Sequence, residues 1–427
     1  MAPGALDGVR ILDLTSEMGW YCGKLLADLG ADVIKVEPVG GDPSRGRAPF
    51  WNGTPGRETS LRFWYFNANK RSVTADLGQY DGRWLFGELV KTADIVIESW
   101  TAAERAELAE RGVDPVAYMD AQPALVWVSI TGFGLDGPRA GWQVTDLIAQ
   151  AASGIATLAG YPEGSPMRIA GNQAYIVAGI SAAQGALLAL LQAETTGEGQ
   201  RVETSMQEAL SICQETAHLQ WDFQGASRER VGERHRMPGI GTYQTLDGYI
   251  YSAVGIPGFG APWSELIRWM DDEGQAEDLT QPEYAETLES FNLRDMPLGT
   301  TFDDLGPAMS RAQAVLTAFY ASKTSLDVYE QGQARRLLIG MVASPADIGE
   351  DEHLNTREWW LELDQPTRLG SEDARVRLPG PPYRLSGTPA AIRRPAPQIG
   401  EHNQEVWVDE VGIPAEDLIA FGGEGAV

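Results

Sequence analysis

The sequence predicts an α/β protein built on a parallel, doubly wound sheet. Three observations carry that expectation. Apolar runs of strand length alternate with stretches of helix length from the N-terminus to Ser205. Glycine and proline punctuate the junctions, as Gly30 does before one run and Pro38, Gly40 and Gly41 do after it. Composition changes after about residue 225, where Arg228, Glu229, Arg230, Glu233, Arg234, His235 and Arg236 form a charged stretch that predicts a domain boundary.

Taken in order, Val9–Leu14 reads as a buried strand, and Ser16 is placed to cap a helix running to about Leu29. Ala31–Glu37 follows as a second strand, which completes a βαβ unit. The rhythm repeats with Ser72–Leu77 extended, a helix near Asp81–Lys91, and strands at Asp94–Glu98 and Ala124–Ile130. A long helix near Ala174–Ala193 and a strand at Arg201–Ser205 close the series. Beyond the boundary, Gly241–Val254 alternates around Asp247-Gly248, a hairpin signal. Gly255–Pro262 is rich in glycine and proline, a composition suited to a mobile cover or a plain surface loop. Glu273–Leu305 is acidic and reads as helix-poor surface. Leu337–Ala343 returns to core composition as a last strand, and a proline-rich tail ends the chain.

At 427 residues the chain is long enough for two or three packed units and a sizeable buried site. Its formal charge of −27, from 60 acidic against 33 basic residues, opposes nucleic acid and anionic lipid as partners. Cys22 and Cys213 stand far apart and only four histidines occur, which supports neither a disulfide framework nor a metal site. A reducing, cytoplasmic setting is expected, and the N-terminus shows neither the basic start nor the apolar stretch of a signal peptide. No charged residue occurs between Arg168 and Glu194, yet Gly171, Asn172, Gln173, Gly179, Ser181, Gln184 and Gly185 dilute its apolarity, so a buried core helix is expected rather than a membrane span. No GxGxxG follows the first strand, so dinucleotide binding of the usual kind is not indicated.

Several blocks carry a resemblance. Leu6-Asp-Gly-Val-Arg-Ile-Leu-Asp-Leu14, Leu25–Pro38, Gly41-Asp-Pro43 and Asn69-Lys-Arg-Ser-Val73 open the series. Ser129–Gly134 with Gly137-Pro138, Asp146–Gln150, Thr196-Gly-Glu-Gly-Gln200, Thr242–Gly248 and Ile399-Gly-Glu-His-Asn403 continue it in order. Together they resemble the class III CoA-transferase family over nearly the whole chain. The resemblance implies a Rossmann-like large domain made from both ends of the chain (1–225 and 331–427), a smaller α+β domain (226–330), and an interlocked dimer. It also implies coenzyme A or an acyl-CoA as substrate, a carboxylic acid as the second substrate, and no metal.

In that family an aspartate attacks the thioester carbonyl and forms a mixed anhydride. The motif places it shortly before the glycine of the long helix, in a stretch that here reads Ala174-Tyr175-Ile-Val-Ala-Gly179. A phenol with a reference pKa of about 10 cannot replace a carboxylate directly. The racemase variant of the family is also disfavoured, because Thr145 stands where it needs a histidine. Three accounts therefore stay open. An altered enzyme would draw its carboxylate from Asp146, Glu17 or Asp13, or use Tyr175 as an acid or hydrogen-bond donor. A heteromeric transferase of the benzylsuccinate type would take the aspartate from a partner. A silent acyl-CoA binder would need neither.

For Tyr175 the structural alternative is a packed aromatic at a helix start, and for Asp146 it is a helix N-terminal acid. The resemblance implies that Asn69, Lys70 and Arg71 lie near the nucleotide, where Lys70 or Arg71 would pair with phosphate, and that Ser99 and Trp100 lie near the adenine. Glu17, Met18 and Gly19 occupy the loop where the chain passes the pantetheine. Arg105 and Arg111 fall near a family arginine. Solvated charge or ordinary core packing is the alternative for each.

Overall fold

The computed structural model describes residues 3–230, 232, 237–256, 260–291, 302–366 and 374–427. The chain divides into two compact units. The first comprises residues 1–156, 168–227 and 353–427, and the second residues 157–167 and 228–352.

The first unit is built on a six-stranded sheet in which neighbouring strands pair in parallel: β1 (Arg10–Leu14), β2 (Asp32–Glu37), β3 (Arg71–Thr74), β4 (Ile95–Glu98), β5 (Val126–Thr131) and β6 (Arg201–Ser205). Their spatial order is β3-β2-β1-β4-β5-β6, so the chain direction across the sheet reverses between β1 and β4. That reversal opens a crevice at the C-terminal strand ends, where open α/β sheets bind ligands. Strands β4 and β5 are buried along their whole length, which explains why they read as largely apolar runs with little alternation, whereas the equally buried β3 carries Arg71, Ser72 and Thr74.

Helix α1 (Trp20–Asp28) connects β1 to β2. Ser16 does not cap it with its side chain; Ser16 lies in the preceding loop, where its carbonyl accepts the Gly19 and Trp20 amides. Gly30 ends the connection at φ +107, and a Cβ there would sit 2.8 Å from the Cα of Gly4. Helices α2 (Leu61–Asn67), α3 (Tyr80–Val90), α4 (Ala102–Glu110) and α5 (Pro115–Ala121) lead on to β5. Helices α6 (Asp146–Ala152), α7 (Ile155–Leu158) and α8 (Gln173–Thr196) follow it.

Helix α8 is long and apolar enough to cross a membrane by composition. Within this unit it packs on β5, β6 and α1. Its buried face is made of small residues, Ala174, Ala178, Ala182 and Ala186 at four-residue spacing, together with Gly179. A Cβ at Gly179 would lie 3.0 Å from the Cβ of Tyr21 and 3.1 Å from the Cys22 amide, so the first turns of α8 rest directly on the first turn of α1.

The end of the chain closes the β3 edge. The His402 amide donates to the Ser72 carbonyl at 2.9 Å, and His402 Nδ1 accepts the Ser72 amide at 3.2 Å. Asn403 repeats the pattern one pleat further on: its Oδ1 accepts the Thr74 amide and its Nδ2 donates to Thr74 Oγ1, both at 2.8 Å. The Ile399–Asn403 block thus acts as a side-chain substitute for a seventh strand.

In the second unit the Asp247-Gly248 turn joins β7 (Ile240–Gln244) to β8 (Tyr249–Ala253), and β9 (Ile339–Met341) pairs antiparallel with β8. That pairing corrects the expectation that residues 331–352 belong to the returning segment; the chain returns to the first unit at His353. The expectation of helix-poor surface from Glu273 to Leu305 is also corrected, because Pro282–Ser290 is a helix that buries Leu288. Residues 257–259 of the Gly255–Pro262 stretch, and 231 and 233–236 of the charged stretch, lie outside the described residues.

Candidate active site

The loops after β1 and β4 meet at the sheet's switch point. The Ser16 amide donates to Ser99 Oγ at 2.9 Å, and the two hydroxyl oxygens lie 3.4 Å apart. Below them sits a buried charge network. Asp13, next to last in β1, has one carboxylate oxygen taken by the Thr15 amide and hydroxyl, and the other by Lys70 Nζ at 2.7 Å. Lys35 Nζ bonds the Thr15 carbonyl at 2.6 Å and lies 3.2 Å from Asp42. Burial pushes the Asp13 carboxyl up, but Lys70 and Lys35 outweigh it and hold it below the usual carboxylate value.

This network corrects the reading of the Asn69-Lys70-Arg71 cluster. Lys70 is fully buried and spends its three donors on Asp13, the Trp20 carbonyl and Asn67 Oδ1. Arg71 is paired with Asp32, Glu405 and Glu410. Asn69, at φ +70, donates to Asp28 and the Ala391 carbonyl and accepts the Arg393 and Arg394 amides. These residues tie the chain ends together and present no free donor to a phosphate. In a βαβ fold with so few cations, the lysine next to a strand start is used to neutralise a buried aspartate.

Arg105 forks onto the fully buried Glu98 at 2.9 and 3.1 Å and caps the Trp100 carbonyl. Trp100 itself is half-buried and packs against Trp127, with ring centroids 6.1 Å apart. Arg111 lies on the surface, bonded to the Gly78 carbonyl and Glu107. Gly19 is required by packing, since a Cβ there would come 2.6 Å from Thr15 Cγ2, and Met18 beside it is half-buried.

Tyr175 and Asp146 are brought together. Thr145 caps α6 with its hydroxyl, and Asp146 opens the helix. Tyr175 Oη accepts the Asp146 amide at 3.1 Å. Both Asp146 oxygens are engaged, Oδ1 by the Ala174 amide at 2.9 Å and Oδ2 by Gln150 Nε2 at 2.8 Å. Asp146 therefore holds the first turns of α6 and α8 together. Burial pushes the Tyr175 phenol above its ordinary value, and the charges of Glu17 and Asp146 add to this while Arg47 opposes it. The phenol is neutral at pH 7, and its proton has no acceptor among the described residues.

Glu17 completes the cluster. Its Oε2 is buried without a hydrogen bond, 3.4 Å from Arg62 Nη2, while Oε1 lies 3.7 Å from Arg47 Nε. Arg47 and Arg62 were not singled out by sequence reasoning. The signal available was a concentration of arginines, Arg45, Arg47, Arg57 and Arg62, within one loop region of an acidic chain. Among the described residues no set of three or more His, Cys, Asp or Glu side chains is arranged for a metal.

The sequence model of CoA-transferase family III matches residues 6–403. The chain is 34% identical over 425 residues to a succinyl-CoA:(R)-benzylsuccinate CoA-transferase subunit from Thauera aromatica, covering 98% of this chain and 97% of that one. It is 32% identical over 417 residues to a succinyl-CoA:mesaconate CoA-transferase from Haloarcula hispanica, with 96% and 97% covered. A crystal structure of a CAIB/BAIF family protein from Brucella suis superposes with a TM-score of 0.78 at 26% identity, covering 96% of this chain and all of that one. With a parallel sheet open at its switch point and a match that runs from end to end, the chain belongs to CoA-transferase family III, whose members take acyl-CoA as substrate.

Proposed function

We propose that this chain is the aspartate-lacking subunit of a heteromeric CoA-transferase, with Tyr175 standing at the family's nucleophile position and a related partner supplying the aspartate. The observation that carries the reading is the state of the two groups at that position. Tyr175 is a buried, neutral phenol, and both oxygens of Asp146 are committed to N–H donors. Neither is poised to attack a thioester carbonyl. The Tyr175 hydroxyl keeps a proton to donate, which suits hydrogen bonding to a bound acyl carbonyl rather than anhydride formation. The Thauera aromatica relative is a subunit by name, which supports the same division. The protomers are interlocked, as the family resemblance implies, and the assembly works in the cytoplasm on an acyl-CoA and a carboxylic acid.

The test is co-expression. The chain alone should bind an acyl-CoA without turnover, and turnover should appear with an aspartate-bearing relative and vanish when that aspartate is changed. Hydroxylamine trapping during turnover should mark the partner's aspartate. A marked Glu17 or Asp146 in this chain, or turnover by the chain alone, would overturn the proposal.

A further inference from the structure

Several arginines of the first unit are spent on carboxylates. Arg45, Arg71 and Arg105 each fork onto carboxylates: Arg45 holds Glu37 with two bonds of 2.6 Å and also reaches Glu58 and the Pro397 carbonyl. Arg47 and Arg62 instead both lie beside one carboxylate, Glu17, and neither guanidinium makes a hydrogen bond among the described residues. Each carries five N–H donors in a planar fork suited to a carboxylate. The Arg47 side chain is 63% exposed and that of Arg62 27%.

Their position matters because α1 begins where α8 begins. Gly179 brings the first turns of the two helices to backbone contact, so the Glu17 loop before α1 and Tyr175 at the head of α8 belong to one locality. The electrostatic effect of Glu17 and Arg47 on the Tyr175 phenol agrees with that placement. Between Arg47 and Arg62 stands a single carboxylate, Glu17, whose Oε2 has no hydrogen bond. Two guanidinium groups thus face a single carboxylate that neither hydrogen-bonds, in a chain whose net charge is −27; the other nearby carboxylate, Asp146, is taken up by the Ala174 amide and Gln150. A carboxylate brought by a ligand would occupy the unspent forks.

We propose that Arg47, backed by Arg62, grips the distal carboxylate of a dicarboxylic acyl group, and so makes this chain the part of the enzyme that selects dicarboxylic over monocarboxylic substrates. Glu17 holds the two arginines in place between turnovers. The inference rests on CoA transfer at this site and not on the heteromeric reading.

The experiment compares succinyl-CoA with butyryl-CoA, which has the same four-carbon acyl chain without the second carboxylate. kcat/KM is measured in whichever assembly turns over, the chain alone or the co-expressed pair, so the heteromeric proposal can fail while this comparison stands. The wild type should prefer succinyl-CoA. Arg47→Gln should lower kcat/KM for succinyl-CoA about 10–100-fold while changing that for butyryl-CoA less than about 3-fold, the loss expected for charge-assisted hydrogen bonds. Arg62→Gln should act in the same direction and Arg47→Lys should fall between. Circular dichroism melts separate any variant that fails to fold, and Arg47→Lys, which keeps the charge and the exposed stem, then carries the comparison. A succinyl-to-butyryl ratio that is unity in the wild type, or unmoved by Arg47→Gln and Arg47→Lys, overturns the proposal. So does an unmoved ratio with turnover abolished in Glu17→Gln, which would make Glu17 the acyl acceptor.

Discussion

Tyr175 and Asp146 are joined by one hydrogen bond, the phenol oxygen accepting the Asp146 amide at 3.1 Å, and the Asp146 carboxylate in turn accepts the amide of the preceding residue, Ala174, at 2.9 Å. The pair locks the start of α6 to the start of α8. A side chain that the sequence presents as a missing nucleophile is thereby also a structural acceptor, and the two roles separate experimentally.

Tyr175→Phe removes the acceptor of a largely buried amide. Stability should fall by about 1–3 kcal/mol, the cost of leaving such a group unsatisfied. Turnover by the co-expressed pair should be slowed by the lost donor but not abolished, since the nucleophile lies on the partner. Denaturant titration measures the first and steady-state assay the second.

Asp146→Ala leaves the Ala174 amide and Gln150 Nε2 without their acceptor. Because these bonds run to a carboxylate, the loss should exceed that of Tyr175→Phe, about 1.5–3 kcal/mol for each bond before relaxation. Asp146→Asn, which keeps an acceptor, should cost less. An Asp146→Asn variant of wild-type stability that has lost all turnover would point to chemistry at Asp146.

Lys70→Ala should act on folding. It strands Asp13, a fully buried carboxylate, and breaking such a pair costs about 3–5 kcal/mol. Chemical denaturation should show the loss, and acyl-CoA affinity of the folded fraction should be unchanged. A stable Lys70→Ala protein with weakened CoA binding would restore the lysine to the nucleotide site.

His402 predicts a pH dependence. Burial holds its pKa below the ordinary 6.5, against the pull of Glu401 and Glu405, and its Nδ1 must stay unprotonated to accept the Ser72 amide. Below that ordinary value the unfolded chain takes up the proton more readily than the folded one. The His402 contribution is therefore complete above pH 6.5 and is lost as pH falls below it. The urea midpoint should fall between about pH 7.5 and 5.5, and His402→Asn, an acceptor that does not titrate, should flatten that slope.

Light scattering tests the proposed interlocking. A stably folded monomer at micromolar concentration is the result that would exclude it, because interlocked protomers cannot separate without opening.

Much of the site's framework was legible in the chain. The alternation of Ile11-Leu12, Val33-Ile34 and Ile95-Val96-Ile97 with helical stretches determined the parallel sheet, because strands buried on both faces must be apolar throughout. The Tyr175 stretch was recognisable through its resemblance to the family motif, in which the glycine is Gly179, the residue at which α8 rests on α1. The fate of the charges was not legible. Lys70 and Arg47 are both cations in loop regions of an acidic sequence, yet one is sealed against Asp13 and the other is 63% exposed with its donors unspent. Which carboxylate neutralises which cation depends on pairs separated by tens to hundreds of residues, such as Asp13 with Lys70 and Arg71 with Glu410. Local pattern records how much of a side chain must be buried. Only the tertiary structure decides what it is buried against, because Coulombic partners are selected by distance in space and not along the chain.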